Sequence, residues 1–376
     1  MSTELHELFL HLVRLGIGHT ETTEITEKVD WVALKALAEM QGLGAIVLDG
    51  LNSVHDSGLM VHDSMPQKLR LEWIGEVLQG ENIYKYQQAV AVDMAKLFLR
   101  NAIRTYVLKG NVVAECYPRP EHRVSVDVDC FLIEDASFKF QVPSSKGFDA
   151  WALGNDLIRA KGFAVNTDFY KNSAFDISGV NVENHQYLTP FRGNRTLQSL
   201  ERYLQSKLKD DSLKFRDSLK FKDTELCRPP VIVSALFLIE HAYSHFLHEG
   251  LTWRMVLDWV LFCRKHKEEI DRDEFDKRID EFGFRRFFDS FSRLGQYLIG
   301  EFQDSGFTFQ DKRMLTDIWA PLDLHETVRG WKGKLALAGN TWRARWKYRY
   351  FTDMNWMQAL WIQVKGFLFE KQPRLD

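Results

Sequence analysis

Cysteine is scarce: there are four in 376 residues, Cys116, Cys130, Cys227 and Cys263, and none stands in a C-x-x-C spacing. That argues against a zinc ribbon or a disulfide framework and predicts a reduced, cytoplasmic protein. Positive charge is not in excess either. The formal net charge of -3 excludes global attraction to nucleic acid and leaves room only for a local basic face. The N-terminal MSTELHELFL lacks a basic region leading into an apolar one, so no signal peptide is read. The longest apolar run of the C-terminal half, Val231 to Ile239, stops at Glu240, and no transmembrane segment is expected. With 45% hydrophobic and 27% charged residues the chain reads as globular, and its length predicts roughly two or three structural units.

What the sequence does have is a stretch from Thr105 to Ile133 around which the remainder is arranged. Val124, Val126, Val128, Cys130 and Leu132 alternate with Ser125, Asp127, Asp129 and Phe131, the period of a strand with two unlike faces. Asp127 and Asp129 then leave the same face, an expensive placement unless a cation lies between them. Hard oxygen donors with few other protein ligands suit Mg²⁺, with Mn²⁺ as the alternative ion. Upstream, Tyr106-Val107-Leu108 predicts a short strand, Lys109-Gly110 a turn, and Val112 to Cys116 a helix. That order aims backbone N–H groups and a helix N-terminus at phosphate. Lys109 adds a point charge for a polyphosphate, and Arg123 a guanidinium for bidentate capture of its oxygens.

Leu108-Lys109-Gly110, Tyr117-Pro118 and Arg123-x-x-x-Asp127-Val128-Asp129-Cys130-Phe131-Leu132 together resemble the pattern of the bacterial uncharacterised nucleotidyltransferase family, within the DNA polymerase beta-like superfamily. Trp31 with Ala38 to Leu43 is similar to that family's N-terminal signature, and His241-x-x-x-His245 with Leu251 to Asp258 to its C-terminal one, so the likeness runs from about Trp31 to Phe262. One feature departs: the superfamily usually carries Gly-Ser before its carboxylates, and this chain has Lys109-Gly110-Asn111. Asn111 offers a side-chain donor where the serine would sit.

Residues 1–99 read as a helical region, with Gly75 and Gly80 predicted to break the segment from Leu69 to Leu99 into two helices. Residues 100–191 read as a mixed α/β core. After a loop at Ser137 to Gly147, a helix is expected at Phe148 to Lys161, a strand entry at Phe163 to Val165, and two strands, Ala174 to Ser178 and Val180 to His185, around Gly179. Either Asp176 or Glu183 can supply a third carboxylate. The resemblance favours Glu183, because the family motif carries an acidic residue two before a histidine, as in Glu183-Asn184-His185. Residues 192–376 read as a C-terminal helical region that begins with a polar segment, where Asp211 to Phe215 is echoed by Asp217 to Phe221. Pro229-Pro230 opens an apolar helix on which His241, His245 and His248 share one face, without the glutamate of a zinc-binding H-E-x-x-H. Arg254 and Asp258 are spaced for an i, i+4 pair.

The expected fold is thus α+β, a small mixed-sheet nucleotidyltransferase core flanked by N-terminal and C-terminal helices. The implied reaction moves an NMP from an NTP to an acceptor hydroxyl and releases pyrophosphate. Asp127, Asp129 and Glu183 are expected as catalytic residues and ligands to two Mg²⁺ ions, and Lys109, Gly110, Asn111, Arg123, His185, His241 and His245 as substrate contacts. The acceptor is ranked as a small hydroxylated molecule or a protein side chain above RNA. Two other readings stand. The missing Gly-Ser motivates a degenerate nucleotide-binding or protein-interaction module. The basic, aromatic tract from Val328 to Tyr350 motivates an RNA-directed enzyme.

Overall fold

The computed structural model describes residues 3–20, 29–56, 65–135, 149–210, 221, 224–320 and 342–369. Its sheet grows from the carboxylate stretch. β1 (Ile103–Val107) and β2 (Asp127–Glu134) pair antiparallel, and β4 (Val180–His185) lies parallel to β2. β3 (Asn172–Ile177) forms a hairpin with β4, β5 (Leu226–Cys227) runs parallel to β1, and the order is β3-β4-β2-β1-β5. The architecture is the α+β one expected, a small mixed sheet with helices on both sides of it in sequence.

The alternation along β2 feeds two different cores. Val128, Cys130 and Leu132 pack with Met94 and Phe98 of α4 (Gln67–Leu99) and with Ile158 of α6 (Ala150–Ala160). Phe131 and Ile133, from the opposite face, join a larger core that takes in α8 (Val231–His248), α9 (Trp253–Lys265) and the N-terminal helices α1 (Thr3–Gly16), α2 (Trp31–Met40) and α3 (Gly44–Asp56). Asp127 and Asp129 belong to this second face, at the end of β2 where its apolar character runs out. The strand starts at Asp127 rather than at Val124, leaving Val124 and Val126 exposed, because β4 reaches only as far as the Asp127–Asn181 pair.

Three other expectations need correction. α4 runs unbroken through Gly75 and Gly80. Each glycine costs about 1 kcal/mol, whereas burying Trp73, Tyr84, Val90, Met94 and Phe98 along the same helix contributes roughly 1.5–3 kcal/mol per side chain. Packing therefore outweighs propensity. Phe163 to Val165 forms no strand, and the chain there makes only a single bridge, Asn166 to Ala174. The helix expected from Val112 starts earlier, as α5 (Lys109–Ala114). The loop expected at Ser137 to Gly147 and most of the Asp211 to Phe221 echo lie outside the described residues.

α8 begins after Pro230 and stops short of Gly250, whose φ of +111° disfavours any other residue. It continues through Glu240, and by length and composition it is apolar enough to cross a bilayer. Here it packs as a core helix, with Leu236, Phe237, Ile239 and Phe246 buried.

A buried histidine ties the N-terminal helices to the entry of β2. His122 is 2% exposed, with Nδ1 2.5 Å from Asp49 Oδ2 and Nε2 3.0 Å from Glu81 Oε1. Burial disfavours its charged form, but the hydrogen bonds to Asp49 and Glu81 and the Asp49 charge raise its pKa above the ordinary 6.5. A group with a raised folded pKa contributes stability that is complete below its unfolded value and lost as pH climbs through the folded one. The thermal midpoint should therefore fall between about pH 6.5 and the raised value, and His122→Phe should remove that part of the slope. Coincident pH slopes for wild type and variant would refute the charged bridge.

Candidate active site

The junction of β1 with the first turn of α5 is pinned to the carboxylate strand. Leu108 N–H donates to Asp129 O at 2.9 Å, and Lys109 then takes a φ of +33°, a conformation that non-glycine residues rarely adopt. The Lys109 Nζ lies 2.8 Å from Asp129 Oδ1. Gly110 follows because a Cβ there would stand 2.4 Å from Ser125 Oγ. Asn111 is 2% exposed, and neither its Oδ1 nor its Nδ2 has a hydrogen-bond partner among the described residues. Lys109 and Gly110 line the cleft described below, whereas Asn111 is absent from its lining.

β4 delivers the third carboxylate. In the parallel register Asp129 stands opposite Glu183 and Phe131 opposite His185. His185 Nε2 lies 2.8 Å from Asp129 Oδ1 and 3.4 Å from Glu183 Oε2. Asp176 is placed elsewhere, at the β3–β4 turn, where its Oδ1 accepts the Gly179 N–H at 2.8 Å. Ligand atoms of Asp129, Glu183 and His185 all lie within 4.8 Å of one another.

Electrostatics separate the two aspartates. Burial alone would raise the pKa of Asp129, but the Lys109 charge and the His185 hydrogen bond hold it far below the usual carboxylate range. Glu183 is lowered by its hydrogen bond from His185. Asp127 moves the other way, raised by burial and then by the charge of Asp129. Carboxylates on neighbouring strands gathered around one lysine make an oxygen-rich set, and a hard divalent cation fits it.

Facing these strands, α8 closes a cleft of about 450 Å³. His241, His245 and His248 all line it, as do Arg123, Lys171 and Glu240. The His241 and His245 rings meet edge to face at 4.4 Å, and His245 Nδ1 lies 2.7 Å from Glu249 Oε2. Burial, helped by the Lys109 charge, drives the His241 pKa well below 6.5, so this ring is neutral at pH 7. Sequence reasoning missed Lys171 and Glu240. The available signal for Glu240 was its position as the one charged residue in the apolar helix.

Arg123 lines the cleft while its guanidinium is held by a residue 135 positions away. Nε and Nη2 donate to Asp258 Oδ1 and Oδ2 at 3.0 and 2.7 Å, and Tyr117 OH donates to the same Oδ1 at 2.7 Å. The partner expected for Asp258, Arg254, instead donates to Val124 O at 2.9 Å. The better bidentate geometry of Arg123 explains the exchange. In the basic tract, positions 328–341 lie outside the described residues. Lys347 is buried and bonded to Asp317 Oδ2 at 2.7 Å and Phe246 O at 2.6 Å, so its charge is spent inside the protein.

A small mixed sheet that presents carboxylates from neighbouring strands beside a buried lysine, with helical flanks, is the core of a nucleotidyltransferase. The chain belongs to the family described as uncharacterised nucleotidyltransferase, whose pattern matches residues 27–300, from the polar segment before α2 to just past α11 (Arg285–Leu298). Comparison with curated proteins and with solved structures finds no match. Membership supports nucleotidyl transfer as the general activity, an NTP as substrate and a divalent metal as the general cofactor class.

Proposed function

We propose that the protein transfers an NMP from an NTP to an acceptor hydroxyl with release of pyrophosphate. The observation that carries this reading is Glu183 opposite Asp129 on parallel strands, with Lys109 paired to Asp129 and Asp127 on the same face. When bound, Mg²⁺ or Mn²⁺ held by Asp127, Asp129 and Glu183 would neutralise triphosphate oxygens and acidify the attacking hydroxyl.

The chain's own groups complete the site. Lys109 donates to the triphosphate as charge develops on it, and Gly110 lines the cleft beside it. His185 orients Asp129 and Glu183. Arg123, fixed by Asp258, lines the cleft wall with its charge largely offset by that carboxylate. His241, neutral, and His245 contact substrate from the α8 side. The acceptor enters between α8 and the sheet, and a small hydroxylated molecule or a protein side chain ranks above RNA, because the described arginines of the basic tract line a cavity other than the carboxylate cleft.

A second reading, nucleotide binding without turnover, is favoured by the buried Asn111 in place of the usual serine. Calorimetry with each Mg·NTP, paired with a pyrophosphate-release assay over an acceptor panel, separates the two. The transferase reading expects Mg²⁺-dependent binding of at least one NTP, and release that falls by on the order of a hundredfold in Glu183→Gln. Binding with no release across the panel favours the module. No binding of any NTP would overturn both.

A further inference from the structure

A second cavity, of about 490 Å³, adjoins the cleft. The two share Pro190, Glu240, Ser244 and His248. Glu240, Ser244 and His248 recur every four residues, so one stripe of α8 is their common wall. Tyr243, Leu247, Phe282, Phe284 and Tyr348 give the chamber a wall dominated by rings and aliphatic carbon, and its volume is that of a small-molecule pocket.

At the junction sits a buried polar group. Glu240 is 2% exposed, lines both cavities, and has Lys171 as its principal opposing charge. Burial lifts the Glu240 pKa to about 7, and in either protonation state the group keeps an oxygen that can accept a hydrogen bond from a hydroxyl.

We propose that the chamber holds an apolar, ring-bearing body of the acceptor, and that Glu240 receives the acceptor's hydroxyl where the chamber opens on the cleft. Calling the occupant an acceptor rests on the nucleotidyl-transfer reading. Its binding does not. A wall of this kind selects a flat apolar body over a sugar or an RNA strand, and a hydroxyl facing a single buried carboxylate adds a hydrogen bond that its absence forfeits.

Calorimetry of the full chain with 5-hydroxyindole and with indole tests this. Wild type should bind 5-hydroxyindole about tenfold more tightly than indole, and Glu240→Leu should cut that preference to within about twofold without lowering the thermal midpoint. Ala359→Trp, which fills the chamber from a buried position, should weaken both probes about tenfold while Mg·NTP affinity stays within about twofold. Leu247→Trp closes the same chamber from α8 and serves if the first variant fails to fold.

Equal affinity for the two probes in wild type, or unchanged affinity in a folded closure variant, overturns the proposal. If the probes behave as expected but no Mg·NTP binds wild type, the chamber stands and the transferase reading falls. Nucleotide binding without probe binding overturns the chamber alone.

Discussion

Asp129→Asn is expected to lower nucleotidyl transfer by on the order of a thousandfold while leaving the chain folded. Asp129 is 4% exposed, and its Oδ1 is bonded by both Lys109 and His185 while Glu183 stands across the strand gap. Asparagine keeps the shape and removes the charge. A carboxylate that holds a divalent ion on a transferring phosphoryl group contributes several kcal/mol to the transition state, and about 4 kcal/mol is three decades of rate. Folding survives because Lys109 keeps Asp127 and Glu183 as opposing charges. Since Lys109 and His185 keep Asp129 ionised well below neutrality, the defect should be flat between about pH 5 and 9. Initial rates of pyrophosphate release, with circular dichroism as the folding control, check this. A rate within tenfold of wild type would remove Asp129 from the chemistry.

The second large effect is on stability. Asp258→Ala leaves the Arg123 guanidinium, 7% exposed, without its bidentate partner and strips Tyr117 OH of its acceptor. Breaking a buried pair from one side costs about 3–5 kcal/mol, a large share of the roughly 5–15 kcal/mol that holds a typical domain together. Replacing both charges, Arg123→Met with Asp258→Leu, should recover part of the loss, because the desolvation cost disappears along with the attraction. Urea unfolding of the single and double variants measures it. An Asp258→Ala loss below about 1 kcal/mol would mean that water reaches the pair.

The parts of the site written in short-range chemistry were legible in the sequence. Asp127 and Asp129 announce themselves by a period of two, and the ends of α8 by Pro230 and Gly250. The spacing from Glu183 to His185 places both on one face of β4, which the resemblance singled out. Long-range partnerships were not legible. Arg123 reads as a phosphate contact, and nothing local announces that Asp258, 135 residues on, holds its guanidinium. Glu240 reads as the end of an apolar run, because only the packing of α8 between two cavities shows why a carboxylate is buried there. Gly75 and Gly80 mislead for the same reason: local propensity is a small quantity beside the burial that α4 gains along its length. The start of β2 depends on where its partner strand begins, which no local pattern encodes.

The most direct test of the central claim is a crystal structure with Mn²⁺ and a non-hydrolysable NTP, read by anomalous scattering. The expected result is manganese against Asp127, Asp129 and Glu183, with the triphosphate at Lys109 and Gly110 and the open side of the cleft facing α8. A triphosphate bound away from Lys109, or bound there with no manganese at the three carboxylates, would contradict it.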